Sequence, residues 1–129
     1  MTRSIESAAE RGSALVDFVL VGALLALTFI SIVQLALVLH VRNTIIDAAA
    51  SGARYGGLAD RAAEDGVNRT RELIGSALNP DFAQDIGFSR ADVAGIPVLR
   101  ITVRAPLPVI GLIGPAKVLE VNGHAALQP

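Results

Sequence analysis

The side chains able to do chemistry are few and scattered. His40 and His124 are far apart in sequence; the first borders a long apolar run and the second lies on the polar side of an alternating segment. Glu64 and Asp65 are adjacent carboxylates, the residue type that acid–base catalysis or a divalent cation would need. They recur with Arg61, Arg69 and Glu72 at helical spacing, which makes them part of a solvated helix face. The chain has no cysteine, which excludes a disulfide framework, a thiolate zinc site and a cysteine nucleophile together. It has no phosphate-cradling glycine loop, no metal-ligand spacing and no nucleophile motif. The sequence therefore reads as that of a non-enzyme, without cofactor, metal or small-molecule substrate. One ionisable residue remains out of context. Asp17 stands at the mouth of a run that holds no other formal charge.

That run accounts for the composition. Of 129 residues, 52% are hydrophobic but only 4% aromatic, and the mean hydropathy is +0.54. A soluble domain of this length could hide so much apolar surface only with a large core, and so few aromatics do not supply one. The net charge of −1 lacks the basic surplus of a nucleic-acid binder. From Phe18 to Val41 there is no Asp, Glu, Lys or Arg. As a helix this stretch would be about 36 Å long, enough to cross a hydrocarbon core of about 30 Å. A buried core helix is the alternative, although such helices seldom run this far without a charge. A cleaved secretory signal fits less well: its apolar stretch spans only ~7–15 residues before a small-residue site. Here the nearest such site, Ala48 and Ala50, lies beyond His40 and Arg42. Arg3 and Arg11 precede the run and Arg42 and Arg54 follow it, so charge does not decide topology.

Asp17 admits two readings. Near the start of a helix it meets the positive end of the dipole and some headgroup water. Alternatively, it is kept at the membrane because it pairs with a cation on another subunit, which offsets the cost of an ionised carboxylate there.

The stretch Glu10-Arg11-Gly12-Ser13-Ala14-Leu15-Val16-Asp17-Phe18, followed by the apolar run, resembles a type IV prepilin processing site. Farther on, Val41-Arg42-Asn43 and Asp47-Ala48-Ala49-Ala50-Ser51-Gly52-Ala53-Arg54-Tyr55-Gly56 resemble the corresponding segment of the TadE-like pseudopilins of tight-adherence (Tad) pilus systems. The resemblance covers residues 10–56 and reaches the remainder only in general plan. It implies a polar leader at residues 1–12, cut by a prepilin peptidase between Gly12 and Ser13. Asp17 then becomes the fifth residue of the mature chain, where the family usually has Glu. The implied partners are the peptidase, other pilin and pseudopilin subunits of the Tad apparatus, and the lipid bilayer. The implied location is the bacterial cytoplasmic membrane, with the N-terminus inside and the C-terminal domain outside. An uncleaved single-pass anchor for an envelope-binding domain is the competing function, but it has no need of Gly12 and Asp17 at this spacing.

The elements that must position these residues follow from periodicity. Ile45, Ile46, Ala49, Ala50 and Ala53 continue one apolar helix face beyond the membrane run, and Gly56-Gly57 is a natural stop. The expected helix covers residues 14–55, within a segment 13–56 whose part 18–41 spans the membrane. Residues 57–129 form a small α+β domain. A second helix is expected from Arg61 to Leu78, capped by Asp60 and ended by Asn79-Pro80. Leu99, Ile101 and Val103 alternate with Arg100, Thr102 and Arg104, and Leu119, Val121, Gly123 and Ala125 alternate with Glu120, Asn122 and His124. Paired antiparallel, these strands bring Arg100 or Arg104 near Glu120. A shorter strand is expected at Ile86–Phe88. The fold class is α+β and pilin-like: a long N-terminal helix, a shorter helix and an antiparallel sheet of two or three strands.

Between the main strands, residues 105–115 are broken by prolines and glycines yet include Val109, Ile110, Leu112 and Ile113. Full burial of each such side chain is worth ~1.5–3 kcal/mol, so leaving all four in water is costly. The loop is expected either to fold under the sheet or to form a contact surface for a partner subunit or lipid.

Overall fold

The structure is a computed structural model and describes residues 2–108 and 118–129. A helix α1 (Thr2–Gly56) is followed by α2 (Ala63–Ala77), a single 3-10 turn (Pro80–Ala83) and strands β1 (Asp85–Val93), β2 (Ile96–Pro106) and β3 (Val118–Ala126). The strands form one antiparallel sheet in the order β1-β2-β3. This is the α+β architecture that the periodicities predict, in the pilin-like arrangement that the resemblance implies.

The chain divides into two compact units, residues 1–36 and 37–129. In the first, every residue from Thr2 to Val33 is exposed, including Leu15, Phe18, Leu25 and Phe29. The helix begins at Thr2 and not near residue 14. Ile5, Glu6, Ala8, Ala9, Glu10 and Arg11 are mostly strong helix formers, and no proline occurs before Pro80. The single Gly12 costs only about 1 kcal/mol of helix propensity, too little to break a helix propagating from both sides.

The second unit has one core. Val41, Ile45, Ala48, Ala49, Gly52, Ala53 and Gly56 are the buried residues of α1, and they meet Ala63, Thr70 and Ile74 of α2 and Leu99, Ile101, Val103, Ala105 and Val121 of the sheet. The seam between the two helices is made by glycines. A Cβ added at Gly66 would lie 2.6 Å from the Gly52 carbonyl oxygen and 3.2 Å from the Gly56 Cα. The backbones therefore approach closely, and the Thr70 hydroxyl, fully buried at this crossing, donates to the Gly66 carbonyl at 2.9 Å with the Ala48 carbonyl 3.4 Å away.

Local chemistry corrects two expectations. Helix α2 is not capped by Asp60. Its N-cap is Ala62, whose N–H donates to Asp65 Oδ2 at 2.8 Å, so one of the paired carboxylates serves the helix start. Strand β1 runs to nine residues where the apolar alternation marks only Ile86 and Phe88. Its length comes from continuous pairing with β2, from Asp85↔Arg104 to Val93↔Ile96, closed by a two-residue turn. Ala94 and Gly95 take φ of 54° and 82° there, and Asp92 Oδ1 accepts from the Gly95 N–H at 2.8 Å.

The glycine seam makes a paired prediction. Gly66→Ala should lower the stability of the full chain in detergent by about 1–3 kcal/mol through overpacking. Gly75→Ala lies on the same helix with open space around its Cβ and should raise stability by up to about 1 kcal/mol. Thermal unfolding followed by circular dichroism checks both; equal effects would mean that the helices do not approach this closely.

Candidate functional site

The functional residues expected from sequence fall on α1 and divide between the two units. Gly12, Ser13 and Asp17 lie in the first, on uninterrupted helix, and all three are exposed. A Cβ at Gly12 would meet nothing within 4 Å, so no contact within the protein requires glycine there. Among the described residues Asp17 forms no ion pair. Its carboxylate is presented outward at the start of an apolar surface that nothing in the unit covers.

That surface is long and apolar enough to cross a membrane. Contiguous exposed Leu, Val, Ile and Phe on this scale are untenable in water and demand lipid or other helices as cover. The polar residues inside the run do not change this. The hydroxyls of Thr28 and Ser31 donate to the Leu24 and Leu27 carbonyls, each at 2.8 Å, and are thereby satisfied within the helix.

The Gly-Ala-Arg-Tyr segment belongs to the second unit, and each residue does something different. Gly52 admits α2, since its own Cβ would sit 2.5 Å from the Gly66 carbonyl oxygen. Ala53 is fully buried. Arg54 is exposed in the last turn, where a cation complements the helix dipole. Tyr55 is half-buried and carries the Arg61 guanidinium 4.8 Å from its ring centroid, which ties the helix end to the connection leading into α2. Gly57 then accepts at its carbonyl from the Gln128 N–H at 2.8 Å, clasping the chain's last residues to the end of α1.

Sequence reasoning treated Gly123 only as one inward position of an alternating strand, and its importance is greater. Its Cβ would lie 2.6 Å from the Ala49 carbonyl oxygen, so β3 touches the α1 backbone directly. The available signal was a glycine on the apolar side of a strand, which marks a close backbone approach.

The outer sheet face carries a polar ladder across β2 and β3. The Arg104 Nε–H donates to Glu120 Oε2 at 2.9 Å, the Thr102 hydroxyl to Asn122 Oδ1 at 2.7 Å and the Arg100 Nε–H to His124 Nε2 at 2.9 Å. The rung expected from the strand pairing is thus formed by Arg104. Hydrogen bonding to Glu120, then the charges of Glu120 and Asp85, hold the Arg104 guanidinium above its ordinary pKa. A base stabilised in this way keeps its contribution below its ordinary value while its carboxylate partners stay ionised, and loses it as pH climbs through the raised one. The rung is therefore constant across the physiological range. A shallow groove of about 300 Å³ lies along this ladder, lined by Asp85, Arg100, Arg104, Glu120 and Asn122 among others. Its charges are engaged with one another and do not converge on a ligand. Among the described residues no group of three His, Cys, Asp or Glu is placed to hold a metal ion. The expected contact residues Val109, Ile110, Leu112 and Ile113 lie outside the described residues.

A long apolar N-terminal helix leading into a helix-packed antiparallel sheet defines a pilin-like protein of the membrane-anchored class. The family model of TadE-like proteins matches residues 12–54, and this match supports membership of the TadE-like family. No curated protein and no solved structure matches the chain.

The Tyr55–Arg61 contact is testable by a double-mutant cycle. Tyr55→Leu and Arg61→Gln should each cost little, with a coupling of about 0.5–1 kcal/mol in thermal unfolding of the full chain. Strict additivity would show that the family segment does not engage the connection into α2.

Proposed function

We propose that the protein is a minor pseudopilin of a Tad pilus and secretion system, a non-enzymatic subunit that acts in pilus biogenesis and surface attachment. The observation that carries this reading is where the family match begins. It opens at Gly12, the last residue of the proposed leader, and closes at Arg54 within the Gly-Ala-Arg-Tyr segment. In this reading residues 1–12 are removed by a prepilin peptidase while the chain is anchored in the cytoplasmic membrane, with its N-terminus inside and residues 57–129 outside.

The chemistry of assembly follows from cleavage. Hydrolysis of the Gly12–Ser13 peptide bond adds water across it, giving Gly12 a carboxylate and Ser13 a free amine that is cationic at neutral pH. Asp17 lies four residues farther along the same helix, hence about 6 Å along its axis. In a bundle of such helices the amine of one subunit meets the carboxylate of its neighbour. At the edge of a low-dielectric medium their attraction is much stronger than in water and offsets the burial of either charge. Asp in place of Glu keeps the charge and shortens the reach by one methylene.

The enzyme's access, and not packing in this protein, explains the need for glycine at position 12, because the surrounding space is open. Intact mass of the membrane-extracted protein, from cells with and without the peptidase, is the direct test. The mature chain should begin at Ser13, and Gly12→Val should leave it at full length. A chain that still begins at Met1 or Thr2 despite an active peptidase would overturn the assignment. Asp17→Ala should be cleaved normally but lose co-purification with other pilins, and Asp17→Glu should retain it. Normal assembly of Asp17→Ala would reduce the carboxylate to an interfacial residue.

A further inference from the structure

The bond cut in the proposed processing step lies inside a regular helix. In an α-helix each N–H donates to the carbonyl four residues back. Along α1 the Ser13 N–H therefore donates to Ala9, and the Gly12 carbonyl accepts from the Val16 N–H. Hydrolysis must bring a nucleophile to the Gly12 carbonyl carbon and the enzyme's own donors to its oxygen. Helical backbone blocks both, so the residues around Gly12 must leave the helix before the bond is cut. Unwinding from the free end needs no new nucleus. Residues 2–12 number eleven, fewer than the ~12–15 at which an isolated helix becomes even marginal. All of them are exposed. Their first turn holds Arg3 and no acidic residue, the wrong sign for the positive end of the dipole.

Ser7 and Glu10 have the spacing of a capping box, but a helix starting there still keeps the bond from Ser13 to Ala9. A start at Ser13 does not. The Ser13 hydroxyl is exposed and, among the described residues, makes no hydrogen bond. Ser7, Thr28 and Ser31 instead donate theirs to a carbonyl three or four residues back. With residues 2–12 unwound, Ser13 becomes the N-cap and Ala14, Leu15 and Val16 the first three helical residues. A serine in that place accepts from the second or third of those N–H groups. The third belongs to Val16, the group that the Gly12 carbonyl gives up. Asp17 follows at the edge of the new first turn, with the right sign for the dipole.

We infer that α1 has a second start at Ser13, and that the peptidase acts on the form in which residues 2–12 are unwound. In that form the Ser13 hydroxyl holds the Val16 N–H and leaves the scissile carbonyl free. The inference rests on reading Gly12–Ser13 as the processing site. It makes Ser13 a positioning residue, whose hydroxyl acts on the Gly12 carbonyl only through the helix. The low helix propensity of Gly12 favours the same opening.

The test follows cleavage of the full chain in lipid nanodiscs by purified prepilin peptidase, as kcat/KM from intact mass. The Cα chemical shifts of residues 4–12 report the helicity of the leader independently. The rate should rise with the unwound fraction. Ala8→Gly and Ala9→Gly, away from the scissile bond, should each raise kcat/KM by about fivefold. Because the native chain has no cysteine, Ile5→Cys/Ala9→Cys can be joined by a bis-alkylating staple across one helical turn. The staple should lower kcat/KM by about tenfold or more against the same variant capped with a monofunctional reagent. Ser13→Ala should lower it by about fivefold, and Ser13→Thr should retain it. Adding Ala8→Gly and Ala9→Gly to Ser13→Ala should restore the rate. Equal rates across these variants while leader helicity changes overturn the inference and leave the processing site intact. A leader already unwound in the native chain overturns it as well, since no closed form then exists. A loss at Ser13→Ala that the two glycines do not restore assigns the hydroxyl to direct recognition by the enzyme and overturns it too. A native chain left uncut at Gly12 by a peptidase active on another prepilin overturns the processing reading and the inference with it.

Discussion

The second unit depends on how closely the backbone of α1 can be approached between Ala48 and Gly57. On one side Gly66 and Thr70 of α2 reach it, and on another Gly123 of β3 touches the Ala49 carbonyl. A core with no tryptophan and few aromatics cannot be filled by large side chains, so it is closed by bringing backbones together. Dispersion gains at this density are individually small and collectively large, and a sub-ångström gap already forfeits roughly a quarter to a half of each. This is why the alanines and glycines of a helix that is also long and apolar enough to cross a membrane are structural in their own right. Small residues of the kind that suit close helix packing form the floor of the domain.

One continuous helix thus carries two chemistries. Its first unit presents an apolar surface that nothing within that unit covers, with Asp17 at its margin. Its second unit buries a narrow stripe under α2 and the sheet. The Gly-Ala-Arg-Tyr segment serves the second unit: Gly52 and Ala53 close the core, while Tyr55 and Arg61 secure the exit from the helix.

Much of this architecture was legible in sequence. The end of α1 at Gly56 and the change from helical to alternating period follow from spacing alone, and spacing narrows the partner of Glu120 to Arg100 or Arg104, of which Arg104 forms the rung. The misses share a cause. Helix α1 starts at Thr2 because the residues before Gly12 are mostly good helix formers with nothing to stop them, and one glycine is too weak a break. Strand β1 extends past its two apolar residues because tertiary pairing with β2 outweighs weak strand propensity in Asp, Gly and Ser. The cap of α2 shifts from Asp60 to the Asp65 carboxylate because a first-turn acid reaching back serves as well as a residue ahead of the helix. The glycine seam was invisible for another reason: periodicity shows which face is buried but not how near the neighbouring backbone comes.

Native-state hydrogen exchange on the full chain in lipid nanodiscs addresses the central claim, that α1 is the floor of the domain and not merely its tether. If the domain is closed by backbone approach to α1, the amides of Ile45–Ala53 and those of Leu99–Val103 should exchange in one slowest class, released together by the same global opening. Fast, independent exchange across Ile45–Ala53 beneath a sheet that stays protected would contradict the account.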